Sequence, residues 1–349
     1  MMYDVIIVGG GVAGLYLANL IRNKKVLLIE EHKNLGPIRC SGIVSKRIND
    51  FFDLPKNIIE REVNDAFVIC GNIGVRIYLK SLVINKEKFE NFLLSRAKRN
   101  AEIRFERVNK ISETYKDIVV STSRKEYRTK YIAGCDGSNS IVRRTFLNEE
   151  PKKFYFGKFC YSLEKPFNYY SIFLDSIYSD LFSWIAPRKG RVEYGLICEK
   201  KLNEYYDRFI TEKKPKDKKD DFFGVIPTGL CKCSFPSGVL IGNSAGMTKP
   251  LTGGGIIYSL TAAKIAAREF NKKNPDFGNY EKECRKIFGK EIKYQLWARK
   301  IYSKLNDRQK QKLIKIIAKS KLKIDMDFPI TNILKNHKMK VLRGLFGKS

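Results

Sequence analysis

Residues 3–30 read YDVIIVGGGVAGLYLANLIRNKKVLLIE, and this stretch decides how the chain is read. Residues 3–8 are a short apolar, β-branched run. Gly9-Gly10-Gly11-Val12-Ala13-Gly14 follows, then a helical pattern to Arg22, then a second apolar run, 26–29, that ends in Glu30. Strand, glycine turn, helix, strand and acid in that order make a dinucleotide-binding unit. Gly9 permits the tight turn out of the strand, Gly11 lets a pyrophosphate approach the backbone, and Gly14 lets the helix pack closely on the sheet. The helix start offers free N–H groups and a positive dipole end. Glu30 stands where a carboxylate accepts hydrogen bonds from a ribose diol. The uncharged run 5–21 is neither a membrane helix nor a signal peptide: four of its residues are glycine, a polar Asp4 precedes it, and no cleavage pattern follows.

The chain has 349 residues, enough for one large or two intertwined domains, with an ordinary 43% hydrophobic content. No other stretch is long and apolar enough to suggest a membrane span. The net charge of +30 points to an anionic partner or to a lysine-rich solvated surface. The charge is uneven: residues 272–349 hold 22 Lys and Arg against 7 Asp and Glu, a local excess of +15. Eight scattered cysteines without a C-x-x-C pair suggest reduced thiols in an intracellular protein. Cys231-Lys232-Cys233 lacks the second cluster that a metal site needs. With His32 and His337 as the only histidines, a multi-histidine metal centre is excluded. The chemistry is expected to reside in a cofactor, with no metal.

Further along, 43–52 has a helical pattern, 65–79 contains two short strand-like runs, and 85–100 places Phe89, Phe92, Leu93 and Ala97 on one helical face. Residues 103–108, 118–121 and 127–133 read as strands. Residues 155–199, rich in Tyr, Phe, Ile and Val, suggest an antiparallel sheet. A helix is expected over 202–212 and a charged loop over 213–221. A strand over 238–242 precedes a second glycine cluster, Gly253-Gly254-Gly255, and a helix over 256–272. The expected fold is therefore α/β: a discontinuous Rossmann-like nucleotide domain, 1–150 plus 222–272, a β substrate domain over 151–221 joined by part of 63–84, and a basic helical region over 273–349.

Four further motifs carry a resemblance. Ile38-Arg39-Cys40-Ser41-Gly42-Ile43-Val44 resembles a cysteine–small–glycine loop, and Gly134-Cys135-Asp136-Gly137-Ser138-Asn139-Ser140-Ile141-Val142-Arg143 resembles the G-A-D-G-x-x-S-x-V-R signature. Gly242-Asn243-Ser244-Ala245-Gly246 with Pro250-Leu251-Thr252-Gly253-Gly254-Gly255-Ile256 resembles G-D-A-A-G…P-x-x-G-G-G-I. Phe182-Ser183-Trp184-Ile185-Ala186-Pro187-Arg188 resembles Y-x-W-x-F-P-K. Together, over most of residues 1–300, the chain resembles the geranylgeranyl reductases, in particular the archaeal digeranylgeranylglycerophospholipid reductases, and more broadly FAD enzymes of the aromatic-hydroxylase type.

The resemblance implies FAD as cofactor, contacted by Gly9, Gly11, Ala13, Gly14, Glu30, Arg39, Cys40, Ser41, Gly42, Lys86, Val108, Asp136, Asn243, Gly253, Gly254, Gly255 and Ile256. It implies a substrate pocket at Phe182, Trp184 and Pro187, with Tyr161, Tyr169 and Tyr170 as further aromatic lining, and a role for Cys40 beside the reacting centre as proton donor, tuner or loop packing. Asn243 stands where the family has Asp, Lys86 where it has Arg, Phe182 where it has Tyr and Ala186 where it has Phe. The expected activity is reduction of C=C bonds in isoprenoid lipid chains, driven by an external donor such as NADPH, a reduced deazaflavin or ferredoxin. The basic C-terminal region, with Tyr280, Cys284, Ile287 and Phe288 on an apolar face and 339–346 as a mixed tail, suits a peripheral place at the inner face of the cell membrane. Two other readings stay open: an FAD monooxygenase of an apolar compound, and a nucleic-acid-binding flavoprotein, although no recognised RNA-binding module is present.

Overall fold

The computed structural model describes residues 2–35, 40–319 and 325–334. The chain begins with β1 (Met2–Val8), α1 (Val12–Leu20) and β2 (Val26–Glu30). β3 (Ile43–Ser45), a short 3-10 turn, β4 (Ile59–Cys70), β5 (Ile73–Ile84) and α2 (Lys86–Ala97) come next. β6 (Glu102–Phe105), β7 (Val108–Glu113), β8 (Ile118–Thr122), β9 (Glu126–Gly134) and α3 (Ile141–Phe146) complete the first part. The middle holds β10 (Lys153–Ser162), β11 (Tyr170–Phe173), β12 (Phe182–Pro187), β13 (Val192–Cys198), α4 (Leu202–Lys213) and β14 (Lys219–Thr228). β15 (Ser234–Phe235), β16 (Gly238–Leu240), α5 (Ile256–Phe270), α6 (Phe277–Cys284), α7 (Lys290–Tyr302) and α8 (Asp307–Lys319) close it, with a π turn over Arg285–Gly289 between α6 and α7.

Two sheets result. The first runs β15-β16-β9-β1-β2-β6, with β7 and β8 joined to it through β9. Its central pairs, β1 with β2 and β9, β9 with β16, and β2 with β6, are all parallel. Strands buried on both faces explain the unbroken apolar runs in β1 and β2. The second sheet runs β14-β10-β13-β12-β11-β4-β5-β3 and is antiparallel except between β4 and β11. One of its faces is covered by α4, where Tyr206 and Phe209 pack on Phe173, Leu196 and Cys198.

Several local expectations change. Residues 43–52 are a strand and a 3-10 turn, because Ile43 and Val44 pair with Val83 and Leu82 of β5. The two short runs in 65–79 belong to 12-residue strands. Charged residues 219–221 open β14 instead of lying in a loop, and that strand crosses the 221/222 boundary. Pairing with Cys160 and Tyr161, and acceptance of the Tyr206 hydroxyl by Asp221 at 2.6 Å, outweigh their low strand propensity.

The apolar face of α6 is core. Tyr280, Cys284 and Phe288 are fully buried, Tyr280 donates to the Leu240 carbonyl at 2.7 Å, and Phe288 stacks on Tyr258. Only Ile287 of that expected surface group is exposed. Among the described residues no helix is long and apolar enough to cross a membrane. Residues 339–346 lie outside the described residues.

Candidate active site

The C-terminal ends of the parallel strands form one edge, and the glycine turns gather there. Gly14 must be glycine, since a Cβ would lie 2.0 Å from the Gly9 carbonyl oxygen. Gly11 is different: a Cβ there would meet only a Glu90 carboxylate oxygen at 4.0 Å, so the turn faces open space. Gly11 caps α1 and Gly255 caps α5; neither helix start has a side-chain cap or an acid in its first turn. A Cβ at Gly242 would sit 3.6 Å from the Ala13 methyl, so the 242–246 turn adjoins the start of α1. The uncapped positive start of α1, behind an open glycine turn, matches the donor set that a pyrophosphate requires.

Glu30 ends β2 beside this turn. Its carboxylate accepts the Gly10 N–H at 2.6 Å and the His32 N–H at 3.0 Å. Val108 opens β7 just beyond Glu106, whose N–H donates to the Glu30 carbonyl at 2.8 Å. Lys86 pairs with Glu90 one turn along α2, which brings this ion pair over Gly11. Asp136 spends both carboxylate oxygens on the start of α3, accepting from Ser140 Oγ at 2.5 Å and from the Val142 N–H at 3.1 Å. Burial raises its pKa, and those donors offset part of the rise. Its direct work is therefore to cap α3 next to Gly9.

The 253–255 turn lies opposite. Lys249, which sequence reading missed, closes this turn from both sides: its N–H donates to the Gly254 carbonyl at 3.0 Å and its carbonyl accepts the Gly253 N–H at 2.8 Å, while Nζ donates to Asp327 at 2.9 Å and to the Met326 carbonyl at 2.8 Å. Asp327, also missed, receives Ser45 Oγ as well. It thereby links the strand after the 40–42 loop to the second glycine turn. Asn243 Oδ1 lies 3.6 Å from where a Cβ on Gly255 would be, and Ile256 begins α5.

In the 40–42 loop, Cys40 is the one cysteine of the eight that is not buried. The Gly42 N–H donates to its Sγ at 3.4 Å. Gly42 has a left-handed φ of +69°, and a Cβ there would come within 2.4 Å of the Ile84 carbonyl oxygen. Arg39 lies outside the described residues.

The face of the second sheet opposite α4 meets the 253–255 turn. A Cβ on Gly253 would touch Ile197 of β13 at 2.8 Å and Ile226 of β14 at 3.2 Å. Phe182 pairs with Ile197 and Trp184 with Gly195, so both aromatic residues share that face. Gly195 leaves the space that the Trp184 indole fills. Tyr155, Leu181, Ile197 and Ile226 pack around these rings. Pro187 falls on the opposite face, paired with Val192 of the cluster beneath α4. Tyr170 is buried and shares its hydroxyl with Ser81 at 2.9 Å, whereas Tyr169 packs outward on Phe67 and Phe167. Tyr161 lies under the Arg191 guanidinium, 3.6 Å from its ring centre.

A buried polar chain joins this face to the cysteine loop. Trp184 Nε1 donates to Glu193 at 2.8 Å. Arg188 lies 3.4 Å from the other Glu193 oxygen and 2.7 Å from Glu60, and it also donates to the carbonyls of Ser41 and Ile84. Burial pushes the Glu193 carboxyl up to about 7, with Arg188 and the Trp184 N–H opposing. Glu60 and Glu193 carry no motif; only their burial beside a motif arginine marks them.

A parallel sheet with its glycine turns at one edge, met by the aromatic face of an antiparallel sheet at the second glycine turn, defines an FAD-dependent oxidoreductase of the aromatic-hydroxylase fold. An FAD binding domain model matches residues 2–159. The chain is 31% identical to an uncharacterized protein of Methanocaldococcus jannaschii over 92% of its own length and 89% of that protein. It is 28% identical to a digeranylgeranylglycerophospholipid reductase of Methanococcus vannielii, covering 88% of each chain. The structure of a geranylgeranyl bacteriochlorophyll reductase-like protein from Thermoplasma acidophilum superposes with a TM-score of 0.84 at 20% identity, covering 99% of both chains. The p-nitrophenol 4-monooxygenase of Pseudomonas putida shares the fold, with a TM-score of 0.72 at 15% identity, over 99% of this chain and 97% of that one. The chain belongs to the geranylgeranyl reductase family of FAD flavoproteins.

Proposed function

We propose that this protein saturates C=C bonds in geranylgeranyl chains of membrane-lipid precursors. The observation that carries the reading is the apolar face of Phe182, Trp184, Ile197 and Ile226, set against the 253–255 turn and tied through Arg188 to the cysteine loop. An isolated alkene offers no charge to grip, so its recognition rests on an apolar, water-free wall. When bound and reduced, FAD supplies the hydride. The uncapped start of α1 and the Lys86–Glu90 pair hold the dinucleotide end, and the start of α5 favours negative charge near the 253–255 turn. The Trp184 side of the second sheet orients the chain and excludes water. Cys40 Sγ, which accepts the Gly42 N–H, would deliver the proton. An external reductant such as NADPH, a reduced deazaflavin or ferredoxin restores the electrons. The relatives named digeranylgeranylglycerophospholipid reductase support the choice of substrate.

The test is to incubate FAD-loaded protein with a digeranylgeranylglyceryl phospholipid and dithionite, and to weigh the product. A gain of one H2 per reduced double bond is expected. An unchanged mass, or oxygen uptake stimulated by an aromatic compound with NADPH, overturns the reading in favour of a monooxygenase.

A further inference from the structure

The inward side of α7 is committed to the active-site wall. Glu291, Ile292, Gln295 and Arg299 are buried. Gln295 accepts the Leu251 N–H at 3.1 Å, Arg299 donates to the carbonyls of Pro250 and Leu251 at 3.3 and 3.2 Å, and Tyr302 donates to the Leu181 carbonyl at 3.1 Å. The helix thus braces the second glycine turn from one side and the aromatic strand from the other.

Among the described residues nothing covers its outward side. Trp297 is 65% exposed, Ile301 42% and Tyr294 37%, with Ile287 of the preceding turn at 36%. Spacings of three and four residues from 294 to 301 put the helical members on one stripe. Lys286, Lys290, Lys293, Lys300 and Lys304 surround them, all exposed. The only acid between 286 and 304 is Glu291, which faces inward, where its carboxylate accepts from the Gln295 amide and the N–H groups of Ile330 and Thr331. A solvated helix face ordinarily alternates charge and carries no tryptophan; this one is cationic and aromatic throughout.

We propose that this face of α7 docks the protein on an anionic phospholipid bilayer. The rings and Ile301 would enter the boundary between headgroups and acyl chains, while the lysine stems lie along them with their ammonium groups among the phosphates. Charge complementarity selects an anionic surface. The bilayer is favoured over an acidic protein because the same helix braces the aromatic face read above as the lipid site; to that extent the inference rests on the proposed function.

The experiment is vesicle flotation of the full FAD-loaded chain, with phosphatidylglycerol–phosphatidylcholine vesicles against phosphatidylcholine alone. Flotation only with the anionic vesicles, weakened by salt, is expected. K290Q/K293Q should weaken binding about fivefold per lysine, and W297A about tenfold. The charge-matched control K110Q/K116Q, on exposed lysines of β7 and the turn after it, should bind like the parent. Flavin absorbance and melting temperature should not change in any variant. Absent flotation, flotation indifferent to the α7 variants, or equal weakening in the control overturns the proposal. So does a dimer, or an RNA complex, that W297A dissociates in a protein that does not float. Face-dependent flotation of a preparation that fails to reduce the lipid supports this proposal and overturns the substrate reading.

Discussion

Arg188 donates to the carbonyl of Ser41, 147 residues earlier in the chain, and that bond ties the substrate sheet to the cysteine loop. The guanidinium is buried with Glu60 at 2.7 Å and Glu193 at 3.4 Å. A planar fork can serve carboxylates and carbonyls at once, which a lysine cannot. R188M leaves two carboxylates buried without their cation and should cost about 3–5 kcal/mol in denaturant unfolding. R188K should keep the fold while weakening FAD binding about tenfold, because the charge stays and the anchor to Ser41 is lost. Flavin fluorescence titration measures the second effect; unchanged affinity would show that the 40–42 loop holds itself.

Glu193 makes stability depend on pH. Its folded pKa, about 7, lies above the ordinary carboxylate value of 4.5, so the folded chain holds this proton more tightly than the unfolded chain. The stability so gained is complete below the ordinary value and is lost as pH rises through about 7. Its full size is about 3 kcal/mol. Between about pH 5 and pH 8 the parent's melting temperature should therefore fall further than that of E193Q, which carries no titrating group there. Parallel curves would place the protonation elsewhere.

The two glycines of the first turn separate ligand binding from folding. G14A forces a Cβ to within 2.0 Å of the Gly9 carbonyl and should destabilise the chain by several kcal/mol, of order 3. G11A meets nothing closer than 4.0 Å, so stability should change by less than about 1 kcal/mol while FAD affinity falls at least about tenfold. Equal effects on both measurements would mean that the open side of Gly11 is not the phosphate side.

Cys40 is accessible and sits in a loop held by other residues. C40A should retain FAD with an affinity within about twofold, and its lipid turnover should drop at least about tenfold. Retained turnover would reduce Cys40 to a packing residue and send the search for the proton donor to solvent.

Much of this architecture is legible in the sequence, because strand–glycine–helix spacing constrains the backbone locally. β1, α1, β2 and the 253–255 turn all follow from it. What escaped depends on partners far away in the chain. Nothing near residue 43 signals that Ile43 and Val44 pair with β5, and nothing in KKPKDKKDD announces that its last residues join β10. Glu60, Glu193, Lys249 and Asp327 read as solvated charges until the fold buries them together. Pro187 was grouped with Phe182 and Trp184 by motif, yet the two-residue period of a strand sends it to the other face. The aromatic and basic C-terminal region was legible as a composition; which of its apolar residues are core, Tyr280 and Phe288, and which are surface, Trp297 and Ile301, was not.

The place of β16 has a consequence for synthesis. This strand, Gly238–Leu240, lies directly against β9, whose own neighbour on the other side is β1. A nascent chain emerging from the ribosome therefore holds an unfinished parallel sheet: β8 already covers residues 126–129 of β9, but Ile132, Ala133 and Gly134 lack their neighbour until the whole second sheet has been made. The other helix with an uncapped start, α5, arrives later still. Domains fold as units during translation, generally from the N-terminus; here the first unit to begin is among the last to close, and the dinucleotide can be captured only by a chain whose substrate wall already exists.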